Sequence, residues 1–432
     1  MKTSVVMASL CLSALASGAF AADVSIKGNV SETVEASNNY FLSNTPSGYT
    51  IKSLSAINLD FMARTPTTRY LLDTNYSYYK YFGPGAADAG GLTWGTPASA
   101  TFSIDHTTEL AKYNIAASWT RADAAQTQLT QSGTVTAHGS INTYNVNGGV
   151  TRDLGRNDSI SWTAQASTVS FTDPAQTPYV DVTSTIGWNH SLSQTTTLTN
   201  SVNFDWFSQD NSANSQRLMW RFMSGLQSQL SQLLTFNGNV GLVFSNAYQN
   251  GNAQSPIPPI PPIPPGVTPF QLQVGAGHGW VGDVGLTYRL LKDTSVSLTA
   301  AHAIIPTFTG QLQQTESIGM SLIHTINQFS NLVFSTQYAQ SSSPGQIGQA
   351  VTALDSFSAS VSYGYQLTRE WRTNLSYTYR DNVGLATSST VLFALSRDFT
   401  VLGNPTAIDQ AAQERARARV KQSVGQVFPG FQ

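Results

Sequence analysis

Polar and apolar side chains alternate along many short segments of this chain. The four large apolar side chains between residues 371 and 380 all occupy odd positions: Trp371, Leu375, Tyr377 and Tyr379. Residues 356–363 repeat the pattern, with serine at every even position and an apolar side chain at every odd one. Because side chains along a strand point alternately to opposite faces, each segment predicts a β-strand with one apolar and one hydrophilic face.

The alternation predicts about eighteen strands between residues 24 and 399. Most are long enough to cross a bilayer at the usual tilt, which takes about 9–11 residues. Sixteen strands are the alternative, since residues 123–145 are poorly patterned. The predicted strands are 24–36, 49–64, 69–82, 99–108, 111–122, 139–153, 159–171, 179–190, 195–207, 216–229, 233–246, 277–289, 294–303, 312–325, 330–340, 354–367, 371–381 and 388–399.

The predicted connections are sorted by length. Short ones, such as 64–69, 153–158 and 191–195, alternate with longer stretches rich in Gly, Ser, Asn and Pro. Bacterial outer-membrane barrels have short periplasmic turns and longer outer loops, and an even strand count leaves both termini in the periplasm. We therefore predict an all-β fold, a transmembrane antiparallel up-and-down β-barrel in the outer membrane of a Gram-negative bacterium.

Aromatic residues recur where predicted strands meet predicted loops. The end of the third strand carries Tyr76, Tyr78, Tyr79, Tyr81 and Phe82. Tyrosine and tryptophan favour membrane–water interfaces because one end of the side chain is apolar and the other forms hydrogen bonds. The recurrence favours an aromatic girdle, with the ordinary strand preference of aromatic residues as the alternative.

The N-terminus has the features of a secretory signal peptide. Lys2 gives a positive start, residues 5–15 are largely apolar, and residues 19–21 read Ala-Phe-Ala. The apolar stretch is too short to span a bilayer as a helix, and the last three residues fit a cleavage site. We expect residues 1–21 to be the signal peptide, 22–402 the barrel and 403–432 a C-terminal tail.

The tail is predicted to contain one short periplasmic helix, within residues 406–427. Its basic patch consists of Arg415, Arg417, Arg419 and Lys421. Three roles stay open for the tail: a plug of the pore, a contact to a periplasmic partner or polyanion, and a solvated helix end.

Composition agrees with a membrane barrel. Charged residues make up 11% of the chain, well below the share usual in soluble proteins, which is about a quarter. The only cysteine, Cys11, lies in the predicted signal peptide, so we expect no disulfide, no thiolate metal site and no metal or cofactor. The formal net charge of −2 gives no indication of nucleic-acid binding.

The hydrophilic faces of the strands define a predicted lumen lining. Most of its members are amides and hydroxyls, with scattered charges of both signs and neither a basic ladder nor an acidic ring. Such a wall suits neutral hydrophilic solutes such as sugars, although any water-filled barrel needs polar walls. The predicted lining includes Lys52, Asn58, Asp60, Asp73, Asn75, Asn203, Asp205, Arg217, Arg221, Arg372, Asn374 and Arg380.

One predicted outer loop, residues 247–276, contains a repeated Ile-Pro-Pro segment. Such a segment favours a stiff polyproline II rod. It could form a lid, a constriction or an outer contact surface, with a tolerated low-complexity insertion as the alternative. Its prolines are Pro256, Pro258, Pro259, Pro261, Pro262, Pro264 and Pro265.

Local motifs for catalysis are absent from the sequence. The chain has six histidines, but no G-x-S-x-G, no H-E-x-x-H and no phosphate-binding loop. Asp105 and His106 are adjacent, so they face opposite sides of a strand and cannot form a dyad. We predict that the protein is not an enzyme and has no catalytic residues.

Two segments carry a resemblance to a known family. Residues 32–42 read Glu-x-x-Glu-Ala-Ser-Asn-Asn-Tyr-Phe-Leu, and residues 70–78 form a tyrosine-rich strand. This layout resembles that of the β-barrel porins associated with exopolysaccharide export and PEP-CTERM systems. The resemblance implies an outer-membrane conduit for a secreted polysaccharide, with periplasmic export components as partners. It assigns no functional residues.

Two functions therefore stay open for the barrel. The first is a porin-like channel for hydrophilic solutes, with secreted exopolysaccharide as one solute. The second is a non-conducting barrel whose loops bind surface polymer or ligand, or which anchors a periplasmic assembly. In either case we expect it to contact outer-membrane lipid and lipopolysaccharide and to be inserted by the β-barrel assembly machinery.

Overall fold

The structure is a computed structural model of the chain. It describes residues 23–91, 93–125, 127, 139–174, 176–210, 215–250, 271–306, 312–342 and 354–403. The predicted signal peptide, the Ile-Pro-Pro segment and the basic patch of the tail lie outside the described residues. Among the described residues, no helix is long and apolar enough to cross a membrane.

Almost every described residue belongs to a strand or to a connection between strands. A six-residue 3-10 helix covers Pro84–Ala89. The strands are β1 (Asp23–Ser37), β2 (Thr50–Arg64), β3 (Thr68–Phe82), β4 (Trp94–Gly95), β5 (Ala98–Thr107), β6 (Ala111–Asp123), β7 (Ser140–Asp153), β8 (Asp158–Phe171), β9 (Tyr179–Ser191), β10 (Thr196–Gln209), β11 (Gln216–Gln229), β12 (Leu234–Asn250), β13 (Gln271–Leu291), β14 (Thr294–Pro306), β15 (Leu312–Asn327), β16 (Ser330–Ser342), β17 (Leu354–Gln366), β18 (Trp371–Asn382) and β19 (Ala386–Leu402).

The strands form a closed antiparallel barrel. Each long strand pairs with the next one along the chain, and β1 pairs with both β2 and β19. The two-residue strand β4 pairs only with Tyr79 and Lys80 of β3, and β3 continues the wall by pairing with β5. In the part of the chain that the structure describes, the wall therefore has eighteen strands, which confirms the predicted count over the alternative of sixteen.

The two ends of the barrel differ in their connections. Short turns such as 65–67, 108–110 and 292–293 lie at one end, together with the start of β1 and the end of β19. We call this end the turn side and the opposite end the loop side. The longer connections, including 38–49, lie on the loop side.

The largest difference from the predicted strands is at the longest hairpin. Strand β12 continues to Asn250 and β13 begins at Gln271, so both strands extend into the range 247–276 that the sequence predicts to be a loop. A register shift between Ala247 and Tyr248 interrupts the pairing there. Three glycines at 275, 277 and 279 lack side chains, and this conceals the alternation from which the sequence predicts a strand.

The outer face of the barrel is an apolar belt. Ile115, Val240 and Ile318 are 60–61% exposed and point away from the lumen, as their positions in the strand registers require. A soluble protein rarely exposes a continuous apolar surface of this extent. The belt has the character of the lipid-facing band of a transmembrane β-barrel.

Aromatic side chains lie at both edges of this belt, but only part of the predicted girdle is correct. Tyr76 and Tyr78 are exposed on the outer face near the loop side, and Trp162 is exposed near the turn side. The prediction is wrong for Tyr79 and Tyr81, which are 4% and 3% exposed and point into the barrel. Successive strand residues alternate in direction, so neighbouring tyrosines cannot all belong to one girdle.

The closing seam depends on one glycine and one aromatic ring. Gly28 of β1 lies directly opposite Phe399 of β19. The ring of Phe399 covers the glycine, and a Cβ atom at position 28 would overlap that ring. The ring thus fills the space that the glycine leaves and provides packing where the first and last strands of the barrel meet.

We predict that Gly28→Val weakens the seam. The added side chain displaces the Phe399 ring, and overpacking of this kind costs about 1–3 kcal/mol. Heat-dependent migration of the folded barrel in SDS gels should show unfolding at a lower temperature. Gly155→Ala is the matched control, because a Cβ atom there meets nothing within 4 Å. Equal effects of the two substitutions would contradict this account of the seam.

Candidate functional site: the lumen

The turn-side half of the lumen contains rows of polar side chains from adjacent strands. Asn29, Asn58 and Asn75 lie opposite one another on β1, β2 and β3, and the Asn75 amide donates to the Asn58 carbonyl. Three more residues of the predicted lining point into the lumen as this row does: Lys52, Asp60 and Asp73.

A second network closes the turn-side wall across the seam. Asn29 Nδ2 donates a 2.7 Å hydrogen bond to Asp398 Oδ1, and Arg372 of β18 forms an ion pair with the same carboxylate. Asn374 Oδ1 accepts a 2.8 Å hydrogen bond from the Ser362 hydroxyl. The structure therefore brings Arg372, Asn374 and the asparagine row to one wall, and Asp398 is a member that the predicted lining omitted.

The remaining predicted charges form a cluster on β10 and β11. Asp205 lies 3.8 Å from Arg217 Nη2 and 3.8 Å from Arg221 Nη2. Asp205 and Arg217 are almost fully buried. The Arg217 guanidinium stacks 4.8 Å from the centre of the Phe207 ring, which itself packs on Tyr179.

Asp181 of β9 extends this cluster, and Asn203 of β10 lies beside it. Asp181 lies opposite Phe207 in the register, and Asn203 lies opposite Arg221. The cluster has two carboxylates and two guanidiniums, so their formal charges cancel. Its alternating charges match the mixed-sign lumen expected from the sequence, whereas its burial was not predicted. Arg380, the last predicted lining residue, lies apart from it on β18, opposite Ser358.

At the loop side, the connection 38–49 folds inward onto the wall. Tyr40 and Phe41 pack on Tyr79 and Tyr81, with ring centres 5.0–5.3 Å apart within this cluster. The Lys52 ammonium donates a 3.0 Å hydrogen bond to the Tyr40 hydroxyl. It also lies 5.1–5.7 Å from the ring centres of the three tyrosines, within the range of cation–π attraction.

We call Tyr40, Phe41, Lys52, Tyr79 and Tyr81 the tyrosine cluster. Burial raises the pKa of the Tyr40 hydroxyl well above its ordinary value, and the nearby Glu35 carboxylate raises it further. The hydroxyl therefore stays neutral and available to accept the hydrogen bond from Lys52. The cluster attaches an inward-folded segment to the mouth of the barrel.

Hydrogen bonds hold the same segment at the seam. Asn38 and Ser389 exchange two of them: the Asn38 amide donates to the Ser389 carbonyl, and Asn38 Oδ1 accepts from the Ser389 amide at 2.7 Å. Asn39 closes a tight turn by accepting from the backbone amide of Ser43 and donating to its carbonyl, both at 2.9 Å. Leu42, within this turn, has a φ of 50°.

The 3-10 helix packs on the outer part of this connection. Asp88 accepts hydrogen bonds from the backbone amide and the hydroxyl of Ser47. The Gly85 amide donates to the Tyr49 carbonyl, and a Cβ atom at Gly85 would collide with the Gly48 carbonyl. The segment is therefore fixed from both sides.

Buried apolar side chains also face inward in the loop-side half, which the sequence reading missed. Met219, Val243 and Val281 form one cluster and are 0%, 1% and 5% exposed. Ile141 and Val169 belong to another. The sequence does contain this information. Met219 is two residues from Arg217, and residues two apart in a strand face the same side, so an inward Arg217 requires an inward Met219. The loop-side lumen is therefore not hydrophilic throughout.

One sector of the lumen wall, spanning β14–β17, is built mainly from small neutral residues, and the larger apolar side chains of Ile323 and Val333 interrupt it between Ser295 and Ser362. Within these four strands as described, no inward position has an ionisable side chain. Adjacent hydroxyls bond to each other, as Ser335 and Ser360 do at 2.7 Å. We call this sector the hydroxyl wall; it contains Ser295, Ser297, Thr299, Ala301, Thr315, Ser317, Gly319, Ser321, Ser335, Gln337, Ala339, Ser341, Ser356, Ser358, Ser360 and Ser362.

The described residues contain no group of three or more His, Cys, Asp or Glu side chains arranged to hold a metal ion. What the lumen offers is hydrogen bonding: amides and charges on the walls near the seam and on β9–β11, and hydroxyls on β14–β17.

Comparison with known proteins gives structural likeness only. The chain matches no protein-family model and no curated protein. Pseudomonas aeruginosa OccK2 (OpdF) is 11% identical over 88% of this chain and 99% of its own, with a TM-score of 0.46. Acinetobacter baumannii OccAB3 is 10% identical over 88% and 99%, with a TM-score of 0.45. The E. coli K12 ferric-catecholate import receptor Fiu is 13% identical over 87% and 82%, with a TM-score of 0.46. Similarity at this level supports no inference about function.

We predict that the tyrosine cluster holds the inward-folded segment. Replacing both Tyr40 and Phe41 by alanine removes two buried rings, each worth about 3–5 kcal/mol of packing. The segment should leave the wall, and a cysteine placed at the buried, inward-facing Ser77 should then react faster with a polar maleimide. The only native cysteine, Cys11, lies within the predicted signal peptide.

Tyr49→Ala is the control for this experiment, because Tyr49 belongs to the same connection but is 58% exposed. It should leave the labelling rate unchanged. An unchanged rate in the double variant, in a barrel shown to be folded, would mean that the rings do not hold the segment.

We predict that Asp205→Ala destabilises the barrel strongly. Its removal leaves two guanidiniums without their shared carboxylate, and breaking a buried ion pair in this way costs about 3–5 kcal/mol. Urea unfolding of the vesicle-inserted barrel, followed by tryptophan fluorescence, measures the change.

Two further variants test the cause of that loss. Asp205→Leu combined with Arg217→Met removes the carboxylate together with its more buried arginine partner and leaves only the more exposed Arg221, so it should cost less than Asp205→Ala alone. Glu370→Ala breaks the exposed pair with Arg397 and should have a smaller effect, because water screens that pair. A double variant as unstable as the single one would argue against a charge imbalance.

Proposed function

We propose that the protein is a porin-like channel of the Gram-negative outer membrane that passes small hydrophilic solutes, neutral ones above all. In this proposal the turn side faces the periplasm and the loop side faces the exterior, so both termini are periplasmic. The apolar belt contacts lipid and lipopolysaccharide, and the β-barrel assembly machinery inserts the chain.

The observation that carries this proposal is the hydroxyl wall inside a closed barrel with an apolar exterior. A hydroxyl both donates and accepts hydrogen bonds, so it can replace the water around a neutral polar solute in either role. A wall without ionisable groups neither attracts nor repels ions strongly. Such a surface favours sugars and polyols over charged solutes.

The charged residues support the same proposal. Asp205 is close to two arginines, and Asp398 is paired with Arg372, so positive and negative groups are adjacent rather than separated. Adjacent opposite charges produce only short-range fields, which are screened within about 8–10 Å at physiological salt. We therefore expect weak ion selectivity.

The resemblance to exopolysaccharide-export porins extends this proposal to a secreted polysaccharide and to periplasmic export components as partners. The hydroxyl wall is compatible with such a polymer, because hydroxyl groups recur along all four of its strands. The tail, with its basic patch, would be the part nearest to such partners.

A second candidate function is supported by the buried apolar clusters and the inward-folded segment at the loop side. Both narrow the mouth, so a barrel closed at this end, whose loops bind a surface polymer or ligand, is the alternative. A closed barrel would not conduct, which separates the two candidates.

Single-channel recording of the refolded mature barrel in a planar bilayer tests the proposal. We expect steady openings with a reversal potential near zero in a salt gradient. Ser317→Arg adds a positive charge between Ala301 and Ala339 of the hydroxyl wall and should shift the reversal potential toward anion selectivity. Ser317→Gln is the neutral control. A folded barrel that never opens would favour the loop-binding alternative.

A further inference from the structure

We infer that a groove in the wall formed by β5–β9 is a saccharide-binding station within the lumen. The inference rests on the proposed function and specifies the class of solute. The groove has a volume of about 580 Å³. That volume lies in the range of small-molecule binding sites, which is about 300–1,000 Å³.

The groove exists because the wall lacks side chains at one point. Residues 148 and 149 on β7 are both glycine, and Gly149 lies on the inward face, opposite Thr163 of β8. A Cβ atom at Gly149 would lie 3.0 Å from Thr163 Cγ2 and 3.3 Å from the Trp162 carbonyl oxygen. The recess is thus backbone surface framed by larger side chains from the neighbouring strands.

The lining of the groove is polar and mostly neutral. Asn147 and Gln165 lie opposite each other on β7 and β8 and supply amide donors and acceptors. Thr183 and Thr185 continue the lining on β9. A saccharide presents several hydroxyls, each both donor and acceptor, and amides and hydroxyls are complementary to them in either role.

One atom of the groove lacks a protein partner. The Oδ1 atom of Asn147 is buried and accepts no hydrogen bond from the described residues. A buried acceptor without a partner costs about 1–3 kcal/mol. Rotation of the Asn147 amide toward the recess would let this oxygen accept a hydrogen bond from a solute hydroxyl and would remove that cost.

The charged members of the groove lie at its turn-side edge. Asn114 Nδ2 donates a 2.6 Å hydrogen bond to Asp105 Oδ1, and Lys112 is two residues further toward the turn. One carboxylate and one ammonium give no net charge. The groove therefore has no charge preference that would select an ionic ligand over a neutral one.

The groove and the hydroxyl wall face each other across the lumen. In the ring of eighteen wall strands, β7 is the sixth and β16 the fifteenth, so they lie half a turn apart. A solute held in the groove has the hydroxyl wall opposite. In this inference the groove binds the saccharide, and the hydroxyl wall on the opposite side of the lumen forms transient hydrogen bonds with it as it passes.

Two variants test the station with maltohexaose as the probe. Asn147→Leu and Gln165→Leu keep the approximate volume of each side chain but remove its hydrogen bonds. Current noise in the open channel gives the binding constant for maltohexaose, and calorimetry on the detergent-solubilised barrel gives it independently of conduction. Each variant should weaken binding about threefold to tenfold, as expected for the loss of one or two hydrogen bonds.

The control is Gln227→Leu on β11, an exposed amide outside both the groove and the hydroxyl wall, which should leave binding unchanged. Gly149→Ala narrows the recess without removing a polar group, and it should also weaken binding. Ion conductance should be unchanged in all four variants.

The outcomes separate this inference from the proposed function. A conducting barrel that binds no maltohexaose, or binds it equally in Asn147→Leu, Gln165→Leu and the wild type, overturns the station and leaves the channel intact. A folded barrel that does not conduct overturns the channel, and calorimetry then shows whether the groove binds saccharide.

Discussion

A chain that crosses lipid as strands must pair every backbone amide and carbonyl, because lipid supplies no hydrogen-bonding partner. Closure of the barrel meets this requirement here: β1 pairs with β19, and β5 and the short β4 pair with successive stretches of β3. The other features of the lumen depend on that closure. In an open sheet, the groove on β5–β9 and the hydroxyl wall on β14–β17 would be distant parts of one surface. In a ring of eighteen strands they become opposite walls.

Closure also gives the lumen two pairs of opposite walls, which we call its two axes. The groove and the hydroxyl wall form the first axis, which is nearly neutral. Three strands further around the ring from each of them lie the Asp205 cluster, centred on β10, and the polar networks beside the seam, where Asp398 of β19 meets Arg372 and Asn29. A neutral solute on the first axis meets hydrogen-bonding groups on both sides, whereas the charges on the second axis are largely satisfied by each other. The two pairs of walls therefore differ in their side chains, neutral in one pair and charged in the other, although all strands have the same backbone geometry.

The alternation along the sequence predicts the strands and the face that each polar residue occupies, because a period of two needs no knowledge of the neighbours. It leaves sixteen strands open beside eighteen, because residues 123–145 are poorly patterned. It failed where side chains are missing, as at the glycines before Trp280. It also contradicts the girdle predicted at the end of β3. Asp73 and Asn75 lie on the inward face of β3, so Tyr79 and Tyr81 had to point inward as well, whatever their preference for an interface. The groove could not be predicted, because it depends on which residues of five strands lie beside Gly149, and registers are not readable from one sequence.

The seam has a consequence for how the protein is made. Asn29 and Asp398 bond across 369 positions of the chain, so the last contacts of the barrel join its two ends. Contacts between distant residues slow folding. Until β19 has been synthesised and exported, β1 has no second partner, and the two future edge strands expose unpaired backbone groups that promote aggregation. The barrel therefore cannot close before the last strand is present, although each earlier strand already has its neighbour along the chain to pair with.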